Sequence, residues 1–229
     1  MDIQQLYDEL KSRLPEHMDL FGSQEGEDIL IKRLLKSHYN RDGIYVDVGA
    51  HDPLRFSTTA HYYMRGWRGI NIEPNEGVID RFLALRPNDI NLKLAVGSVG
   101  EWPYYRFKES AFNTFDKEQL AFALTKTQLL DESTVEKKPL KVILDENLPK
   151  LASGKFVFLN VDVEGNEMEV LSSNDWAKYR PYLVLVEVLK DEKLRDIDSQ
   201  LNSWGYFFVA RTKNTYFYAE QEFKKCYVD

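Results

Sequence analysis

An open α/β fold, with mostly parallel strands separated by helices, is what the sequence predicts, and three observations carry the prediction. Apolar segments recur along the chain as "GIYVDVGA", "WRGINIEP", "INLKLAVGS", "KFVFLNVDVEG" and "YLVLVEV". They show little alternation, the pattern of strands buried on both faces. Helical patterns fall between the first three strands and again after the fourth, so a β-α-β-α-β run with right-handed crossovers is expected. The first two strands end in acids, in "DVGAHDP" and "IEP", where an open parallel sheet presents its ligand-binding edge.

The elements follow in order. Residues 2–13 read as a polar helix with a thin stripe of Ile3, Leu6 and Leu10. Ser23 can cap a second helix, with Glu25, Glu27 and Asp28 near its positive end and Ile29, Leu30, Leu34 and Leu35 as its buried face. After the first strand, "STTAHYYMRG" reads as a helix that Gly66 ends. "NEGVIDRFLALRP" is the helix after the second strand, stopped at Pro87. Residues 101–140 interrupt the rhythm. "EWPYYRF" suits a short edge strand because of Pro103, and "FDKEQLAFALTKTQLLDESTVEKKP" is polar and weakly helical. An insertion of this length in an α/β domain suits a lid or acceptor loop. The rhythm then resumes with "NEMEVLSSNDWAKY" and "EKLRDIDSQLNSWG" as helices, the second ending at Gly205. "YFFVART" and "NTYFYAE" should pair as an antiparallel hairpin. One domain over residues 1–229 is expected, with an N-terminal helical extension at 1–40 and an acceptor or lid insertion at 101–140.

The 229 residues are 43% apolar, enough for a substantial core, and the net charge of -7 is a poor basis for nucleic-acid binding. The single cysteine, Cys226, allows neither an internal disulfide nor a cysteine metal cluster. The N-terminus lacks the basic start and apolar run of a secretory signal, and no segment approaches the roughly 18 apolar residues of a membrane span. A soluble, cytoplasmic protein is the expectation.

In "DVGAHDP", Gly49 lets the backbone turn sharply against a ligand, and Asp47 can face a cation or a donor. Glu73, closing the second strand, can accept both hydrogens of a ribose diol. A nucleoside-containing cofactor fits the pair. A nicotinamide dinucleotide needs a glycine-rich cradle for its pyrophosphate. The turn G-A-H-D-P offers one glycine, with Asp52 set to repel phosphate. S-adenosylmethionine has no phosphate and carries a sulfonium and an ammonium, which acids favour. A loop that merely caps the strand is the plain alternative.

The stretches "SQEGEDILI", "YVDVGAHDPLRFSTT", "YYMRGWRGINIEPN", "RPNDINLKLAVGS", "FLNVDVEGNEMEVL" and "YRPYLVLVE" together span roughly residues 22–220. In this order they resemble the FkbM-type methyltransferases, a branch of the class I S-adenosylmethionine-dependent enzymes. The resemblance implies a Rossmann-like, seven-stranded, mostly parallel sheet with an antiparallel last strand and helices on both faces. It implies a cofactor site at Asp47, Gly49, Ala50 and Glu73, and an acceptor hydroxyl on a sugar, glycan or polyketide-like metabolite. His51 and Pro74 beside those positions, Gln24 and Glu27 at the second helix, and Val96 at the third strand complete the candidate cofactor set. Glu25 stands where an aromatic is common, and Asn160 and Asn166 are departures near the fourth strand end.

Methyl transfer to a weakly nucleophilic hydroxyl calls for alignment and for a base or a metal. Asp162 and Glu164 at the fourth strand end and Glu187 at the fifth are candidate catalytic groups, and His51 is a second candidate base. Asp162 with Glu187 or Glu164 could hold Mg²⁺, which prefers oxygen ligands; the catechol-type methyltransferases, similar in fold, place ligands at comparable strand ends. Glu164 and Glu167 could instead serve the amides of the next helix. His61 reads as packing, His17 and His38 as surface, and Ser57 and Thr58 as helix caps. Trp102, Tyr104, Tyr105 and Phe112 form either a sugar platform or ordinary core. The expected activity is an S-adenosylmethionine-dependent O-methyltransferase acting on a small-molecule or glycan acceptor. An NAD-dependent sugar-modifying enzyme and a silent methyltransferase-like binding protein are the alternatives.

Overall fold

The computed structural model describes residues 2–15, 18–40, 42–109, 112–115, 117–151 and 154–225. Cys226 and His17 lie outside them. Helix α1 (Ile3–Lys11) is capped by Asp2, whose Oδ1 accepts from the Gln4 amide at 2.9 Å. Its buried pair is Ile3 and Tyr7; Leu6 and Leu10, expected on the buried stripe, are exposed. Tyr7 takes the inner position because its hydroxyl donates to Asp19 Oδ1 at 2.7 Å. Helix α2 (Glu27–Leu35) begins after Gly26, which adopts φ 89°. Ser23 is therefore not at the cap position, although its Oγ accepts from the first-turn Asp28 amide at 3.4 Å. Instead the Asp28 carboxylate accepts from the Gly22 and Ser23 amides and from Ser23 Oγ. Ile31 and Leu35 are buried and Ile29 is exposed, so the inner face is turned from the expected one, with Leu30 and Leu34 at its margin. His38 is half-buried, edge-on to Tyr182 and Phe223 rather than free at the surface.

The central run is β1 (Gly43–Val48), α3 (Ala60–Met64), β2 (Arg68–Ile72), α4 (Glu76–Leu85) and β3 (Ile90–Leu92). The third strand is shorter than "INLKLAVGS" suggested. The chain leaves the sheet after Leu92, and β4 (Ala95–Val96) joins a second sheet. There it pairs with β6 (Leu129–Lys138), which is antiparallel to β5 (Gly100–Phe107); α5 (Lys117–Ala123) lies between those two in sequence. β5 is an edge strand, as Pro103 requires, but residues 129–138 form a strand where weak helix was expected. Their side chains alternate between half-buried and exposed over most of the strand, the signature of one covered face.

The chain returns through α6 (Leu140–Asn147), which the sequence reading did not anticipate, then β7 (Lys155–Val161), α7 (Glu167–Ser172), β8 (Leu183–Glu187), α8 (Asp191–Ser203), β9 (Tyr206–Arg211), β10 (Thr215–Glu220) and α9 (Gln221–Lys225). The main sheet has seven strands in the order β3-β2-β1-β7-β8-β10-β9. β2, β1, β7 and β8 run parallel, and β10 lies antiparallel to both β8 and β9. Apolar clusters cover both faces. One contains Val46, Val48, Leu159, Val161, Leu144 and Leu171; the other contains Tyr45, Phe158, Leu185, Ile31 and Tyr62. Burying each such side chain contributes roughly 1.5–3 kcal/mol. The reversal of strand order falls at β1 and β7, and their C-terminal ends meet tightly. A Cβ at Gly49 would sit 1.7 Å from the Asp162 carbonyl oxygen, and Gly49 has φ 81°.

Candidate active site

The ends of β1, β2, β7 and β8 open into one cavity. It is lined by Gln24, Asp47, Gly49, Ala50, His51, Glu73, Pro74, Val96, Asp162, Glu164 and Glu187, every candidate residue except Glu27. Glu27 is buried elsewhere. Its Oε1 accepts from Thr212 Oγ1 at 2.7 Å, and its Oε2 accepts from the Glu25 amide at 2.9 Å. It fastens the start of α2 to the β9–β10 turn, and the Glu25 carboxylate caps the same turn at the Lys213 and Asn214 amides.

Asp47 is buried at the end of β1. Its Oδ2 accepts from Thr59 Oγ1 at 2.7 Å and its Oδ1 from Asn160 Nδ2 at 2.9 Å. Burial raises its pKa, and the two donors and the Arg86 charge oppose the rise. Asn160, singled out as a departure, therefore fixes the cofactor-side acid. Glu73 Oε2 accepts from the His51 amide at 3.2 Å, and its Oε1 accepts from the Asn75 amide at 2.9 Å and from Tyr104 Oη at 3.4 Å. Burial pushes Glu73 up to about 7. Three of the carboxylate's lone-pair sites are thus taken, and Oε2 keeps one that can accept from a ribose hydroxyl. Asp52 does not stand where a phosphate would be repelled. It turns away to the Leu54 and Arg55 amides and to Arg81. Gly49 alone remains as the argument against a phosphate cradle.

At the other side of the cavity, ligand oxygens of Asp162, Glu164 and Glu187 lie within 4.8 Å of one another. Burial is the largest cause of the raised pKa of each. Glu187 is pushed up to about 7 and Glu164 to about 9, the latter also by the charges of Asp162 and Glu167. Asp162 is raised as well, through burial and then the Glu187 charge. The Asp162 and Glu187 carboxyls are crowded together in this buried space, where sharing one proton relieves their repulsion. Glu187 Oε2 is buried and meets no amide, hydroxyl or basic donor of the protein. His51 Nε2 and Asn166 Nδ2 are likewise buried without partners. Burial lowers the His51 pKa, so its ring is neutral at pH 7. Glu167 does not line the cavity; its Oε1 accepts from the Gly165 amide at 2.6 Å, the helix-start role weighed for it.

The second sheet and the turn beyond β5 form the remaining wall through Tyr104, Asn113, Phe115 and Lys137. Tyr104 and Phe115 have ring centroids 4.6 Å apart. Lys137, 2% exposed, pairs with Glu169 at 2.7 Å and lies over Trp102 and Phe115. Of the four aromatics weighed as a platform, Tyr104 faces the cavity, whereas Tyr105 and Phe112 belong to a small core with Phe107 and Ala123. Phe56, Ser57 and Thr58 also line the cavity. Ser57 Oγ accepts the Ala60 amide at 3.1 Å at the start of α3, and the residue at the cap position is Thr59. Phe115, Asn113 and Lys137 were not recognised from sequence, and no period in "LLDESTVEKK" marks Lys137 as an inner residue. His61 packs in the interior, its Nδ1 bonded to the Leu20 carbonyl at 2.6 Å.

A parallel sheet with this strand order, its last strand reversed and its acids at the strand ends, defines the class I methyltransferase fold. The sequence profile of the methyltransferase FkbM domain matches residues 47–208, and the chain belongs to that methyltransferase family. Among solved structures, the METTL16 MTase domain is similar at 10% identity and TM-score 0.46 over 84% of this chain. The chain spans about 65% of that domain's length. A precorrin-6y C5,15-methyltransferase from Geobacter metallireducens GS-15 is similar at 14% identity and TM-score 0.44, over 86% of this chain and 91% of that one. No curated protein matches the sequence. Among the described residues, no helix is long and apolar enough to cross a membrane.

Proposed function

We propose that the chain is a cytoplasmic S-adenosylmethionine-dependent O-methyltransferase acting on a hydroxyl of a glycan, sugar or related metabolite. The observation that carries this reading is that one cavity joins the Asp47–Glu73 side to the Asp162–Glu187 pair. Glu73 would hold the ribose, and Asp47 would face the cationic end of the cofactor. The cofactor, when bound, supplies an electrophilic methyl group. Glu187, raised to about 7 beside Asp162, is placed to accept the proton of an acceptor hydroxyl at its unpartnered Oε2. His51, neutral and with Nε2 free, can orient the same hydroxyl or the cofactor. Residues 101–140 would close the acceptor side, with Tyr104 and Phe115 as the apolar wall. The three carboxylates also fit a hard divalent ion such as Mg²⁺, held by Asp162 and Glu187 with Glu164.

Calorimetry with S-adenosylhomocysteine and with NAD tests the cofactor. Heat with NAD alone, or with neither, overturns the reading. Glu187→Gln should lower methyl transfer by about 10²–10⁴-fold while S-adenosylhomocysteine affinity stays within about twofold. Turnover that survives EDTA rejects the metal and leaves the base.

A further inference from the structure

Arg86 is a buried cation that the cavity does not include, 0% exposed at the end of α4. Its Nε donates to Asp89 Oδ2 at 3.0 Å and its Nη1 to Ser57 Oγ at 3.3 Å. Its Nη2 is shared among Tyr45 Oη at 2.7 Å, Thr59 Oγ1 at 3.1 Å and Asn71 Oδ1 at 3.1 Å. Asp89 supplies the matching charge and is itself saturated by the Gly69 amide, Tyr45 Oη and Asn71 Nδ2. A cation so completely enclosed is costly unless every donor is used.

One of the acceptors does more than satisfy Arg86. Because Thr59 Oγ1 accepts from the guanidinium, its own hydrogen is directed to Asp47 Oδ2, 2.7 Å away. Asn160 holds the other Asp47 oxygen. Asp47 is thus fixed at both oxygens, with a full positive charge one hydroxyl behind it. The ionisable groups around it are Arg86 and Asp89 behind, and Glu73 and Asp162 on the cavity side. Three of those four are acids, so Arg86 is the one group of the four that favours an ionised Asp47.

We infer that Arg86 and Thr59 are positioning residues of the cofactor site: Arg86, acting through the Thr59 hydroxyl, sets the rotamer of Asp47 and keeps it an anion facing the cationic end of the cofactor. The inference rests on the S-adenosylmethionine reading. It assigns a binding role to residues that touch neither the cofactor's methyl group nor the acceptor. Hydrogen bonds to a charged partner set the scale of the effect.

Replacing Arg86 endangers folding, so the test is made at Thr59. Thr59→Val keeps the shape and removes the hydroxyl; Thr59→Ser keeps the hydroxyl. Affinities are measured for S-adenosylhomocysteine, which carries the ammonium, and for 5′-methylthioadenosine, which does not. Thr59→Val should weaken S-adenosylhomocysteine by about tenfold, leave methylthioadenosine within about twofold, and be rescued by Thr59→Ser. Equal losses for both ligands would show that Thr59 only packs, and unchanged S-adenosylhomocysteine affinity would show that Asp47 does not depend on it; either overturns the inference. A native protein that binds neither ligand overturns the cofactor reading and this inference with it.

Discussion

At the scale of single residues, the cavity is where backbone strain collects. His51, Phe56 and Glu164 have φ of 51°, 60° and 53°, and all three line the cavity. A side chain in this left-handed region costs roughly 1–2 kcal/mol, which persists only where the surroundings enforce it. For Glu164 the enforcing contacts are visible: Thr114 Oγ1 donates to its carbonyl at 3.0 Å, and Lys193 Nζ donates to the Gly165 carbonyl at 2.6 Å. Two substitutions separate strain from charge. Glu164→Ala removes the crowded acid and keeps the strain; Glu164→Gly removes both. Glu164→Gly should therefore be about 1 kcal/mol more stable than Glu164→Ala in denaturant unfolding, although glycine is ordinarily the less stable choice. Both should transfer methyl groups more slowly than the native enzyme. An alanine variant as stable as the glycine variant would show that the turn carries no strain.

At the scale of elements, the second sheet is anchored to the main domain through a lysine. Lys137 of β6 reaches Glu169 of α7, whose Oε1 also binds the Ser98 amide and hydroxyl. Lys137→Met leaves a carboxylate 28% exposed with its Ser98 bonds only, so a loss of about 2 kcal/mol is expected, short of a fully buried pair. Combining it with Glu169→Gln should recover part of that loss in a double-mutant cycle; strictly additive losses would mean the pair is uncoupled. This anchor was hidden in the sequence. A lysine in "EKKP" reads as solvated, and the covered face of β6 carries Asp131, Ser133 and Lys137 beside Leu129 and Val135, so no apolar period marks it. The strands β1, β2, β7 and β8 were legible because burial on both faces leaves no polar alternation. Helix α6 was not. It starts after Pro139 without a side-chain cap, where the segment assigned to an insertion ends, and no element was read for the residues beyond it. In α1 and α2 the period was readable but the face was not, because Tyr7 and Asp28 have polar partners that hydrophobicity does not weigh. Within the site, Asp47, Glu73, Asp162 and Glu187 were legible from strand ends alone. Lys137, Asn113 and Phe115 were not, because they come from the second sheet and the turn beyond β5.

At the scale of the whole molecule, the site sets the pH dependence of stability. Burial raises Glu73 and Glu187 to about 7 and Glu164 to about 9, with Asp47 and Asp162 raised as well. In the unfolded chain these carboxyls ionise near 4–4.5. Below that pH both states hold the protons and the folded state is not penalised. As pH rises, the unfolded chain releases them first, so stability falls until about 7 for Glu73 and Glu187 and about 9 for Glu164. Asp19, Glu169 and Glu220 act in the other direction, since their partners lower them, and their contribution is lost as pH falls through the carboxylate range and below. The unliganded protein should therefore be most stable near pH 5 and lose a few kcal/mol by pH 9, read from denaturant midpoints across that range. Glu164→Gln should flatten the decline most above pH 7, where that carboxyl alone among those with assigned values is still releasing its proton. A ligand that brings positive charge into the cavity lets the acids ionise without the penalty. Its binding should then release protons, and it should stabilise the protein more at pH 9 than at pH 5. A melting temperature that is flat or rising from pH 5 to pH 9 without ligand would mean that the cavity is hydrated enough to hold its acids ionised, and the proton-sharing role of Asp162 and Glu187 would fail with it.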